Sequence, residues 1–233
     1  MYFYGFDSLY LILVVPALLI TLLAQIRVKS AFSKYSKYTA PLSGAQAAER
    51  VLRANGVTGV RIERVSGNLT DHYDPKANVI RLSESVYDTY SIAAVGVACH
   101  EAGHAVQYAK DYSPVRFRMA IIPVCNIGSR LSIPLIIVGL ILSATSALSS
   151  FFLIAGILLF CLAVLFQLVT LPVEFNASRR AIATIRSDRI LSEESQIRGA
   201  KSVLTAAAMT YVAALLLSLM QLIRFIAIAN RRR

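Results

Sequence analysis

Charge is scarce in this chain of 233 residues: Asp, Glu, Lys and Arg make up 16% of it, against 56% hydrophobic residues. That balance falls outside ordinary soluble domains and points to a membrane protein. Cysteine is scarce as well. Cys99, Cys125 and Cys161 are an odd set in apolar surroundings, which argues against a disulfide scaffold and fits reduced thiols. Acidic residues are few, 13 against 24 lysines and arginines, for a formal charge of +11. Yet no basic helix or aromatic platform of a nucleic-acid binder stands out, and the excess of base suits cytoplasmic loops beside anionic lipid. No Lys or Arg precedes Leu9, so the first apolar run lacks the basic start of a secretory signal and reads as an uncleaved anchor. No internal repeat or low-complexity tract is visible.

What is present is a set of long apolar runs. LYLILVVPALLITLLAQI covers Leu9 to Ile26, about the length that crosses a hydrocarbon core, with a tolerable kink at Pro16. Two more runs, Ile133 to Leu148 and Phe151 to Leu171, read as a tight hairpin joined by a serine-containing link. A fourth, Val203 to Ala229, carries Arg224 near one end, where its side chain can snorkel. The expectation is a mainly α membrane protein with about four transmembrane helices and a small α+β zincin-like lobe. Its parts are an anchor over 1–26, the lobe over 27–120, a transmembrane hairpin over 121–172, a segment over 173–202, and a C-terminal transmembrane helix with a basic tail over 203–233. Lys and Arg crowd the stretch from Arg27 to Arg118 and again from Arg179 to Lys201, which places both on the cytoplasmic side and the N-terminus outside. Four crossings then put the arginines of the tail outside as well. Either the upstream bias dominates, or the last run lies at the interface without crossing; crossing is the favoured reading.

In the lobe, Ser43 and Gln46 form an S-x-x-Q capping box ahead of an alanine-rich stretch, which predicts a helix over about 44–55 stopped by Gly56. VRIERVSG and NVIRLSES alternate apolar and polar residues as half-exposed strands do. The SGNLTDHYDPKA between them is rich in turn formers. The segment from Asn78 to Ser85 is a candidate edge strand for aligning a peptide by backbone hydrogen bonds, with an internal strand as the alternative.

Histidine is as rare as cysteine, three in the chain, and two of them stand in VACHEAGHAVQ. Residues four apart share one face of a helix, so His100 and His104 can offer ring nitrogens to one ion, a donor pair that suits zinc. The surrounding stretch from Ser91 to Lys110 is alanine-rich and free of proline, which favours a largely buried helix. Glu101 falls on the neighbouring edge, where a general base can take a proton from a water on the metal without becoming a ligand. The plain alternative is a histidine pair satisfied by core hydrogen bonds. Cys99 projects about 100° around the helix from His100 and reads as core.

A catalytic zinc generally takes three protein ligands. Candidates for the third are His72, Asp71, Asp74, Glu174, Asp188, Glu193 and Glu194. Glu174 follows the hairpin, which returns the chain to the face it left. The last three acids sit in RSDRILSEES, whose mixed charges resemble a solvated surface. HEAGHAVQ at 100–107, VEFNASRRA at 173–181 and DHYDP at 71–75 together resemble the YugP-type membrane zinc metallopeptidases, along nearly the whole chain. A more distant likeness is to membrane gluzincins related to the heat-shock protease HtpX and to CAAX-prenyl endopeptidases, whose second motif reads E-x-x-A-D. The resemblance implies a Zn2+ peptidase with Glu174 as the third ligand. Ser178 stands where the motif's Asp would support a ligand histidine, a weaker orienter, with Asn176 or a backbone carbonyl as substitutes.

The function expected is a membrane-integrated endopeptidase. His100, His104 and Glu174 hold zinc, and Glu101 shuttles the proton. Substrates are membrane-associated or misfolded polypeptides cut near the cytoplasmic membrane face. His72 and Tyr73 are candidates to stabilise the oxyanion, against a turn that merely ties its own backbone through Asp71 and Asp74. Arg179 and Arg180 are candidates for a substrate carbonyl or for lipid headgroups. The rivals are cleavage inside the bilayer, a non-catalytic adaptor with structural zinc, and a metal transporter. The last is disfavoured because the clearly apolar spans carry no carboxylate or histidine.

Overall fold

Four helices are long and apolar enough to cross a bilayer in the computed structural model, which describes residues 8–143 and 146–231. After a π-helical turn at Tyr10–Val14, the helices and strands run in the order α1 (Val15–Tyr35), α2 (Gly44–Ala54), β1 (Arg61–Val65), β2 (His72–Asp74), β3 (Val79–Ser83), α3 (Ile92–Ala109), α4 (Ser113–Ile141), α5 (Ala147–Ser187) and α6 (Glu194–Asn230). The four candidate spans are the first helical stretch Tyr10–Tyr35, α4, α5 and α6. This is the mainly α membrane architecture with a small α+β lobe that the composition implies. The chain divides into two units, the first made of residues up to Leu23, Phe117–Leu171 and those from Tyr211, the second of Ala24–Arg116 and Pro172–Thr210.

The first unit collects the apolar lengths of the long helices. The hairpin break expected between Leu148 and Phe151 lies earlier: α4 ends at Ile141 and α5 begins at Ala147. Ser149 is buried inside α5, and its hydroxyl donates to the Gly139 carbonyl at 2.7 Å. Ser149 therefore belongs to helix packing, and the break between the two helices falls between Ile141 and Ala147, where residues 144 and 145 are outside the described set. Small residues let these helices approach, as where a Cβ at Gly156 would stand 2.6 Å from the Ile136 Cγ1. Of the basic tail, residues 232 and 233 also fall outside the described set.

The second unit is the lobe. Ser43 and Gln46 form the reciprocal capping box of α2, and Gly56 takes the left-handed backbone that ends it, with φ +68°. The sheet has three strands in the order β1-β3-β2. β1 and β3 pair in parallel from Arg61↔Val79 to Val65↔Ser83, and β2 pairs antiparallel with β3 through Tyr73↔Ile80. The candidate edge over 78–85 is thus the central strand, with Val79, Ile80, Leu82 and Ser83 all buried. The edges beside it are β1 and β2; β2 is three residues inside the turn-rich connection, too short to alternate visibly and defined only by its long-range partner. Val51 and Leu52 of α2, Ile80 and Leu82 of β3, Val95, Ala98 and Val106 of α3, Ile185 of α5 and Leu204 of α6 form one continuous core.

Candidate metal centre

Ser91 starts α3 as an extended N-cap whose hydroxyl accepts from the Ala94 N–H, two and a half turns ahead of His100. The helix is wrapped in core on most of its surface, with Ala98, Cys99, Ala102 and Ala105 at most 1% exposed. That burial keeps Cys99 from metal chemistry: its thiol has lost water and its pKa is pushed far up. The face that escapes complete burial carries Val97, His100, Glu101 and His104.

The two imidazoles stand one turn apart with ring centroids 4.7 Å from each other, nearly perpendicular. Glu174, 3% exposed, reaches them from α5. Its Oε2 is 3.4 Å from the His100 Nε2 and 3.5 Å from the His104 Nε2. Among the described residues these three side chains form the one group able to hold a metal ion, with ligand atoms all within 4.8 Å of one another. Donor atoms about 2.1 Å from a tetrahedral ion lie about 3.4 Å apart. The carboxylate-to-imidazole distances match that edge, and two nitrogens with one carboxylate oxygen are a donor set that zinc takes readily.

Behind the imidazoles a second set of polar groups fixes which nitrogen faces inward. The His100 Nδ1 lies 3.1 Å from the Ser178 Oγ and the His104 Nδ1 3.0 Å from the Gln107 Oε1. The Gln107 Nε2 donates to the Val173 carbonyl at 2.8 Å and to the Asn176 Oδ1 at 3.0 Å. With both amide hydrogens spent there, the Gln107 oxygen must accept, so His104 carries a proton on Nδ1 and leaves Nε2 as the nitrogen that faces Glu174. Asn176 is held in turn by the Arg180 Nε at 2.8 Å. Ser178 thus meets His100 directly, while Asn176 acts one step further out, through Gln107. Sequence reasoning passed over Gln107. Its signal in the sequence is an amide side chain three residues past a candidate ligand, on the same helix face; the structure buries it completely. Burial disfavours a proton on His104, but the Glu174 hydrogen bond and the charges of Glu101 and Glu174 outweigh it and push its pKa up.

Glu101 projects toward the sheet. Its Oε2 accepts the Tyr73 N–H at 3.0 Å, and Oε1 has no hydrogen-bond partner among the described residues. The DHYDP stretch therefore meets this carboxylate through backbone. The Tyr73 hydroxyl pairs with the Asn78 Oδ1 at 2.9 Å and its ring packs edge-on against Tyr108. His72 is exposed on β2, with Nδ1 2.8 Å from the Thr70 carbonyl oxygen and Nε2 beside the Arg81 guanidinium. Asp71 accepts from the Ser83 N–H at 2.7 Å, pinning the end of β3. Asp74 accepts from the Lys76 and Ala77 N–H groups and pairs with Arg81 at 2.9 Å. The other acids stay on the surface: Asp188 pairs with Arg50, Glu194 with Arg186, and Glu193 accepts from Ser195.

The chain is 46% identical over 222 residues to the "Putative membrane protease YugP" of Bacillus subtilis (strain 168), covering 94% of this chain and 96% of that one. No solved structure matches it. A family model described as "Putative neutral zinc metallopeptidase" matches residues 10–230, and the chain belongs to that family.

Proposed function

We propose that the protein is a multi-pass membrane endopeptidase of gluzincin type, with Zn2+ held by His100, His104 and Glu174 and with Glu101 as general base. The observation that carries the reading is the approach of one buried Glu174 oxygen to both imidazoles at 3.4 and 3.5 Å, from a different helix. When bound, the ion supplies Lewis acidity to a water and to a peptide carbonyl. Glu101 takes the proton of the attacking water and delivers it to the leaving amine. The Tyr73 N–H holds one oxygen of that carboxylate, leaving the other for the proton.

The outward backbone of β2 lies beside Glu101, and an extended polypeptide adding along that edge would bring its carbonyls to the same place. An oxyanion role for His72 or Tyr73 requires each side chain to leave its present partner when substrate arrives. The substrates we propose are membrane-associated or misfolded polypeptides, cut on the cytoplasmic side. The basic stretches from Arg27 to Arg118 and from Arg179 to Lys201 support that side. The helix α3 is not among the four candidate spans, which favours a site outside the hydrocarbon over cleavage within it. A structural zinc site generally closes with four protein ligands; the group of three here favours catalysis over an adaptor.

The test is the full-length protein in detergent, assayed for zinc content and for cleavage of a destabilised membrane-protein reporter. Wild type should bind one zinc and cleave, and Glu174→Ala should lose both. Full zinc retention in Glu174→Ala would overturn the ligand assignment.

A further inference from the structure

Between α5 and α6 in the lobe lies a cavity of about 600 Å³ lined by Pro172, Phe175, Ile182, Leu204, Thr205 and Ala208, with Arg179 and Lys201 at its cationic part. Neither cation has an ion-pair or hydrogen-bond partner among the described residues. A third cation, Arg180, packs over the ring of Tyr112, another wall residue, at 5.8 Å.

The two helices carry the same gradient. Going along α5 from Pro172 to Arg179, or along α6 from Ala208 back to Lys201, the chain advances about 10 Å from apolar wall to cation. Beyond Pro172 and Ala208, each helix continues into its long apolar run. A cavity apolar at one end, cationic at the other and continuous along both helices with membrane-spanning sequence fits an amphiphile with a negative head. A free anion would leave the apolar wall unused, and a neutral lipid would leave both cations uncompensated. We propose that this cavity binds one anionic phospholipid, its phosphate between Arg179 and Lys201 and its acyl chain along Phe175, Leu204 and Ala208. This assignment does not depend on the peptidase reading.

The chain contains no tryptophan, so Phe175→Trp places a single reporter in the cavity wall and Leu158→Trp a control on an exposed span position. Each full-length protein is reconstituted in phosphatidylcholine vesicles containing brominated phosphatidylglycerol or, at equal mole fraction, brominated phosphatidylcholine, and fluorescence quenching is measured. At position 175 phosphatidylglycerol should be preferred by about fivefold or more, the effect expected of a cation near an anionic head; at 158 the two lipids should quench equally. Adding Arg179→Gln and Lys201→Gln should abolish the preference, and the charge-conserving pair Arg179→Lys with Lys201→Arg should keep it. Equal quenching at 175, a preference that survives the glutamine pair, or its loss on adding inorganic phosphate would overturn the proposal; the last would mark a simple anion site.

Discussion

Gly103, between His100 and His104, lies so close to Ala177 of α5 that a Cβ at position 103 would stand 2.7 Å from the Ala177 carbonyl oxygen. No flexible side-chain tip can yield there, because the obstacle is backbone. This contact sets how near α5 comes to α3 and thus how near Glu174 comes to the imidazoles. Gly103→Ala should force the helices apart, costing about 1–3 kcal/mol of stability as overpacking does. It should weaken zinc binding without removing any ligand. Thermal unfolding and a competitive zinc titration check both.

Gln107 orients His104 while its amide ties α3 to Val173 and Asn176. Gln107→Leu leaves the His104 Nδ1–H and the Val173 carbonyl buried without these partners. Zinc affinity should fall about 10- to 100-fold, the usual effect of losing an outer hydrogen-bond partner. An unchanged affinity would show that packing alone holds the imidazole.

At Ser178 the two directions can be separated. Ser178→Ala should lower zinc affinity about tenfold, and Ser178→Asp should bring it to the wild-type level or above, because a carboxylate raises the basicity of His100 more than a hydroxyl does. The same titration reads both variants. A drop with Asp as large as with Ala would mean that Ser178 is not the group orienting His100.

Glu101→Gln should keep zinc stoichiometry and fold, since the new amide oxygen can still accept the Tyr73 N–H. Its hydrolysis should fall about 10²- to 10⁴-fold, the usual contribution of a general base. Wild-type turnover in that variant would refute the assigned base.

The β2–β3 hairpin should respond to acid through Asp74, whose carboxyl is held below its ordinary value chiefly by the hydrogen bond from Arg81 and by the N–H of Ala77. A lowered folded-state value means the charged form is stabilised in the fold. That contribution is complete above the unfolded value and disappears as pH falls through the folded one. The stability difference between wild type and Asp74→Asn should therefore stay constant from neutrality down to about pH 4 and close below it. Melting curves across that range test it.

Several features were legible along the chain because they depend on neighbours in sequence. The i, i+4 spacing placed His100 and His104 on one face, the Ser43–Gln46 box marked where α2 begins, and the apolar runs announced four long helices. Boundaries suffered where packing overruled composition: Ser149 looked like a turn and is a buried helix contact. β2 was hidden because three residues carry no period, and their identity as a strand rests wholly on pairing with β3.

The sequence by itself determined a membrane protein with two histidines on one helix face and a carboxylate beside them, since periodicity and hydropathy act over a few residues. Only the tertiary structure decided that a Glu174 oxygen, and not His72 or another acid, meets the two imidazoles, that Gln107 sets the tautomer of His104 while Ser178 meets His100, and that β2 is the strand touching Glu101. Those relations join residues far apart in the chain, and they are fixed by which surfaces the core buries against one another, above all by the close approach that Gly103 permits between α3 and α5.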